Sequence, residues 1–426
     1  MSWSRRHTRL ALLMSLGLMA VGLTQIYNSS NESDLQPEEI QPPGRWHFQA
    51  SQLAAAPDGD ELARVLSLPY VSGSSSAPSR QGVVRHRPGA YDGVNLYVSG
   101  HGPEAILMDM DGKRIHSWTL PFEEAFPHKE PTVETPFFRR AYLYPGGDLL
   151  ALYQGGGIIK LDRQSRLVWA TDLPFYNHLS VKQDGNIVSI AKSARLIQAV
   201  RPAEPVLEDS IVTLSPDGEV LSRISLLECF ANSPFADLIH PLPSHADIFH
   251  TNTVFSIEET GGPARTVWHQ GDLLVSLREV DIIALVDPVA LTVRSAWRGP
   301  WVAQHQPVPL PEATILLFDN RGGSTGSRIL EFDPLAEQIV WEFSGNDGDN
   351  LSSPEAGSCQ RLPNGNTLIT DSEAGRALEI SPASEKVWEF VSPHRAGPRR
   401  ELVATLFEVV RIPSASLEFL PERATD

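Results

Sequence analysis

Three short stretches of this chain set a histidine at the head of an apolar, alternating run. They are "NHLSVKQDGNIVSI" around His178, "FHTNTVFSIEE" around His250 and "AQHQPVPLPEATILLFDNRGG" around His305. A fourth stretch, "LLVSLREVDIIAL", ends such a run on Arg278. Imidazole can donate, accept or attack near neutral pH, and guanidinium presents a rigid fork of donors that fits sulfate or phosphate oxygens. Gathered at one place, the four side chains would receive an oxyanion. Imidazoles also suit a transition metal, but no carboxylate shares the recurring position and Arg278 would repel a cation. The anion reading is the stronger. Taken alone, His178 reads equally well as a core histidine.

Only a repeat could bring residues 72 and 55 positions apart together, and the chain contains one. The unit is a short strand, a tight turn such as "PNG" or "QDG", an apolar second strand, a third ending near "LD", and a fourth carrying Trp. It can be followed six times from "NLYVSGHG" to "SEKVWEF". Four antiparallel strands repeated radially make a β-propeller blade, so the expected fold is all-β, a six-bladed β-propeller. Trp118, Trp169, Trp297, Trp341 and Trp388 read as packing anchors between blades, and "LVATLFEVVRI" as the strand that closes the ring. In a propeller the innermost strands line a central channel, which would place His178, His250 and His305 around one mouth. Their register differs by one residue, since His178 lies seven before Gly185 and His305 eight before Ala313.

The rest of the chain is read from composition. With 426 residues, 41% hydrophobic and 20% charged, the bulk is globular. A formal charge of −17 argues against a nucleic-acid surface. Cys229 and Cys359 show no metal-site spacing and read as buried small hydrophobes. Arg5, Arg6 and Arg9 precede the uncharged run Leu10–Leu23, which predicts a transmembrane signal-anchor over 1–27, with removal as a signal peptide the alternative. Residues 28–90 read as a low-complexity flexible tether, 91–412 as the propeller and 413–426 as a tail. The expected location is membrane-anchored with the propeller exported, periplasmic or extracellular; the alternative is secretion after cleavage.

The motifs around His250, Arg278 and His305, in that order, resemble the bacterial arylsulfate sulfotransferases (ASST-like arylsulfotransferases) over roughly 91–393. The resemblance implies a six-bladed propeller and a reaction that uses no phosphoadenosyl phosphosulfate. A phenolic sulfate would pass its sulfuryl group to His305, and the sulfohistidine would pass it to a phenol. His250 and Arg278 match supporting site residues, and His178 matches a further one. No cofactor and no metal are implied. Gln306 and Pro307 stand where the family commonly has an acidic residue, and the separate N-terminal β domain of some members has no counterpart here. The sequence also lacks a GxxxxGK[ST] loop to cradle a nucleotide donor.

Two other classes fit the same residues: a non-catalytic propeller binding a ligand or protein beside the membrane, and an aryl sulfate hydrolase. His101, His240, His245 and His269 read as surface or loop residues, Gly155–Gly157 as a hairpin turn, and Asp319 with Asn320 as a turn satisfying backbone groups. "FANSPFADLIHPLPSHADIF", ahead of His250, reads as a loop walling a pocket or packing on itself.

Overall fold

The computed structural model describes residues 80–420, apart from 133–134, 198–199, 202, 259–266, 325, 347–348 and 397–401. The signal-anchor and most of the tether lie outside the described residues. No helix among the described residues is long and apolar enough to cross a membrane.

Six antiparallel sheets form the blades. Blade 2 runs Arg140–Leu143, Leu149–Tyr153, Gly157–Leu161 and Leu167–Thr171, from the innermost strand outward. Blade 3 begins with Phe175–Val181, blade 4 with Thr251–Ser256, blade 5 with His305–Pro309 and blade 6 with Ser358–Arg361. Blade 1 is built from both ends of the domain. Its innermost strand, Leu406–Ile412, pairs with Val94–Ser99 near the start. The expected closing strand is therefore in place.

The sequence pattern explains these elements. Second strands such as Leu149–Tyr153 and Leu273–Leu277 are buried throughout, as strands packed on both faces must be. Turns between inner strands and their partners need a left-handed residue. Gly185 and Gly365 supply it with φ of 85°, whereas Ala313 takes φ 71° at the same place in blade 5.

The tryptophans act between blades. The indole of Trp118 donates to Gly147 O at 2.9 Å, Trp169 to Pro216 O at 3.1 Å, Trp297 to Pro334 O at 3.2 Å and Trp388 to Met110 O at 2.8 Å, each on the next blade. Trp341 instead receives the Arg361 guanidinium 5.2 Å from its ring centre. Truncating a buried Trp such as Trp118 to Ala would cost about 3–5 kcal/mol.

Two boundaries differ from the sequence reading. Gly82–His86, placed in the tether, forms a fifth strand outside Lys386–Val391 of blade 6. The low-complexity signal ends earlier than supposed because "GVVRH" has its own apolar pair to pack. At the other end, Leu417 and Phe419 of the tail pack in the core beside Trp118. Both cysteines are buried and unpaired.

Candidate active site

The inner strands of blades 3, 4 and 5 are clipped to one another by polar groups. Asn177 Nδ2 donates to Thr251 O at 3.1 Å, Asn252 Nδ2 to Gln304 O at 2.8 Å, and Gln306 N to the Thr253 hydroxyl at 3.0 Å. Asn177, His250 and Gln306 all have left-handed backbones, with φ of 59°, 46° and 46°. Irregular pairing in each strand accompanies them. Bulges of this kind re-aim side chains next to functional sites. Here they turn the starts of three strands toward one mouth.

His305 is buried, and its Nδ1 lies 2.7 Å from Asn320 Oδ1 and 3.1 Å from Ala303 O. Asn320 commits its amide nitrogen to two carbonyls, Ser353 O at 2.6 Å and Ala356 O at 2.7 Å. Its orientation is thereby fixed, and its oxygen must face His305. Nδ1 therefore carries the proton and Nε2 carries the lone pair. Burial, reinforced by Arg278 and opposed by the Asn320 hydrogen bond, holds the imidazole pKa well below its usual value. His305 is a neutral imidazole whose Nε2 has no hydrogen-bond partner among the described residues.

His250 is oriented by a carboxylate. Asp247 Oδ2 lies 2.7 Å from His250 Nδ1, and Asp247 Oδ1 accepts from the His250 backbone N–H at 3.1 Å. Lys192 Nζ meets the same Oδ2 at 2.6 Å, and both partners are buried. Burial would raise the Asp247 pKa, but Lys192 and His250 outweigh it and keep the carboxyl ionised. For His250, burial and Lys192 depress the pKa while Asp247 opposes them. The charge of Arg278 depresses both His250 and His305, and His250 also acts on His305. These three residues share one electrostatic neighbourhood.

Arg278 follows the second strand of blade 4, in the short 3-10 turn Arg278–Val280. Its guanidinium pairs with Glu279 and with Glu355, and Glu355 pairs in turn with Arg321. No carboxylate stands at the recurring histidine position, yet two reach Arg278 from elsewhere. Glu279 is adjacent in sequence, whereas Glu355 arrives from the segment between blades 5 and 6.

His178 lies one layer away. Register places it level with Glu408, Arg140, Thr253, Gln306 and Ser358, so each blade presents a buried polar residue at that depth. Arg140 and Glu408 form an ion pair at 2.5 Å, and Gln306 Nε2 donates to Glu408 at 3.3 Å. A carboxylate thus reaches Gln306 from blade 1, although none follows His305 in sequence. Except for Thr253, these residues line a cavity of about 310 Å³, together with Tyr142, Phe255 and Val308. His178 Nδ1 is buried without a partner, and burial followed by Arg140 holds its pKa well below the usual value. The one-residue offset in sequence is this difference in depth.

The arylsulfotransferase (ASST) family model matches residues 144–393, more than half of the chain. The chain belongs to the arylsulfotransferase family. None of the curated proteins matches it. Among solved structures it is similar to a protein of unknown function from Bacteroides caccae, at 14% identity and TM-score 0.49, covering 70% of this chain and 94% of that one. Virginiamycin B lyase from Staphylococcus aureus with quinupristin matches at 10% and 0.41, covering 73% and 89%. The WD40 propeller domain of Doa1 matches at 11% and 0.41, covering 78% and 88%. These likenesses add nothing to the strand order already described.

In this arylsulfotransferase-family chain several partners of the site escaped the sequence reading. Asn320 orients His305 from within the strand Ile315–Gly323 as well as satisfying backbone carbonyls, so the turn reading is corrected. Asp247, three residues before His250, was a readable signal, because that spacing lets a carboxylate fold back on an imidazole. Lys192 and Asn320 lie within the second strands Ile187–Arg195 and Ile315–Gly323, each five residues after the strand begins, as Arg278 is after Leu273, and a search of that column would have found them. Arg139, whose charge acts on His305 and His178, had no such signal. His101 and His245 are not bare surface residues. His101 stacks on His394 at 3.8 Å, and His245 lies 3.0 Å from Glu279. The segment ahead of His250 begins at the end of the helix Leu226–Ala231, contains the 3-10 turn Ala236–Ile239, and buries Phe230 and Phe249 in the core. Its aromatics are packing, not pocket wall. Gly155 and Gly156 lie in the expected hairpin turn, and Gly157 opens the strand that follows.

Proposed function

We propose that the chain transfers a sulfuryl group from a phenolic sulfate ester to a phenol through a sulfohistidine at His305. The observation that carries this reading is the fixed tautomer of His305, neutral and with its lone pair on Nε2. A neutral, oriented imidazole is a nucleophile, and covalent catalysis divides one hard transfer into two easier ones.

In the first half, Nε2 attacks sulfur, the S–O bond to the aryl group breaks, and the leaving phenolate takes a proton from the imidazolium of His250. Nδ1–H stays on Asn320, so His305 itself releases no proton. In the second half, a phenol gives its proton to His250 and its oxygen attacks sulfur, which breaks the N–S bond. His250 carries the proton between halves, and Asp247 stabilises its charged form. Arg278 faces the sulfuryl oxygens, where charge stabilisation is usually the largest catalytic contribution. His178 and the cavity beside it would receive the aryl group.

The predicted anchor over 1–27 would place this chemistry outside the cytoplasm. In the test, the protein is mixed with a chromogenic aryl sulfate, with and without phenol. Phenol-dependent release, a sulfuryl mass on His305, and loss of both in His305→Ala support transfer. Release independent of phenol would make the protein a hydrolase, and no release at all would leave a binding propeller.

A further inference from the structure

An anion site whose Arg278 guanidinium is already shared by two carboxylates needs a reason. Arg278 and Glu279 are neighbours, and Glu355 bridges Arg278 to Arg321. Neither carboxylate is loosely placed. Glu279 N donates to Phe249 O at 3.0 Å and its side chain also meets His245, while Glu355 N donates to Glu373 Oε1 at 2.7 Å. The side chains keep only 10%, 19% and 22% of their exposure, so water screens them incompletely. The imidazole of His305 is neutral, and the lowered pKa of His250 leaves it only a minor protonated fraction at mildly alkaline pH, so neither is a standing positive charge. Arg278 and Arg321 thus face Glu279 and Glu355, and Lys192 faces Asp247. Arg139 and Glu373 add one further charge of each sign, so what remains is a geometric fork with little surplus charge.

We propose that Glu279 and Glu355 make the Arg278 subsite selective for monoanionic sulfuryl esters and against dianionic phosphate monoesters. The two esters have nearly the same shape and the same three peripheral oxygens, so hydrogen-bond geometry cannot separate them. Charge can. The first negative charge is met by the Arg278 fork, and the second falls beside two fixed carboxylates, where like-charge contact is strongly unfavourable. This inference rests on the sulfuryl-transfer reading of the same site.

The test is calorimetric binding of para-nitrophenyl sulfate and para-nitrophenyl phosphate to the full chain at mildly alkaline pH, where the phosphate ester is a dianion. The wild type is expected to bind the sulfate ester more tightly by at least about tenfold. Glu355→Gln keeps shape and hydrogen bonding but removes the charge, and should narrow the ratio to within about threefold, chiefly by tightening the phosphate ester. Glu279→Gln is the second variant and should act in the same direction. Equal binding of both esters by the wild type, or an unchanged ratio in both variants with unchanged melting temperature, overturns the proposal while leaving the sulfuryl-transfer reading intact. Binding of neither ester by the wild type overturns both.

Discussion

Asn320 holds His305 in one tautomer, with Asn320 Oδ1 2.7 Å from His305 Nδ1 and Asn320 Nδ2 spent on Ser353 O and Ala356 O. Five atoms thus decide which ring nitrogen keeps the lone pair. Asn320→Ala should lower kcat by about 10- to 100-fold with a smaller change in KM, as loss of an orienting partner does. It should also cost about 1–3 kcal/mol of stability, since two buried carbonyls lose their donor. Steady-state kinetics and urea denaturation of the same variant separate the two effects.

Asp247 sets the proton affinity of His250. In Asp247→Asn the one group that raises the His250 pKa is gone while burial and Lys192 still depress it. The protonated form becomes scarcer, so the alkaline limb of the rate should move to lower pH. Donors with basic phenol leaving groups should lose more rate than donors with acidic ones, because they depend most on protonation. A merely structural role for Asp247 would slow all donors alike.

The neutrality of His305 has its own pH signature. Its pKa in the folded protein is lowered from the usual 6.5, mainly by burial and then by Arg278. Protonation removes the lone pair, so the acid limb of the rate should lie below 6.5, where pH drops through that lowered value. Arg278→Ala removes one depressing charge and should shift the acid limb upward. A stopped-flow pH profile of the first half-reaction reads it directly.

Arg140 and Glu408 join blade 2 to the closing strand inside the channel, with both side chains nearly excluded from water. Glu408→Leu alone strands a buried guanidinium and should cost about 3–5 kcal/mol. Arg140→Met with Glu408→Leu should recover most of that loss, because replacing a whole buried pair by apolar groups is often neutral. Denaturant unfolding of the two variants checks the order.

Several features of the fold were legible before any coordinates. The two-residue alternation recurs in six blades and a terminal tryptophan in five of them, and that periodicity suffices for a six-bladed ring closed by Leu406–Ile412. His250, Arg278 and His305 were also visible, because a repeat makes corresponding residues neighbours. His178 was grouped with them for the same reason, and sequence spacing could not show that its one-residue offset meant a different depth.

What the sequence determined by itself was therefore local and periodic: strand alternation, turn chemistry, and the identity of residues at equivalent places in each blade. Tertiary structure alone decided which groups from different blades meet. Glu355 reaches Arg278 across 77 residues, Lys192 reaches Asp247 across 55, and Glu408 reaches Arg140 from the far end of the domain. No period links those pairs, because charge pairing across a channel depends on distance in space rather than position in the repeat. The tautomer of His305 was settled the same way, when two carbonyls between blades 5 and 6 turned the amide of Asn320 toward it.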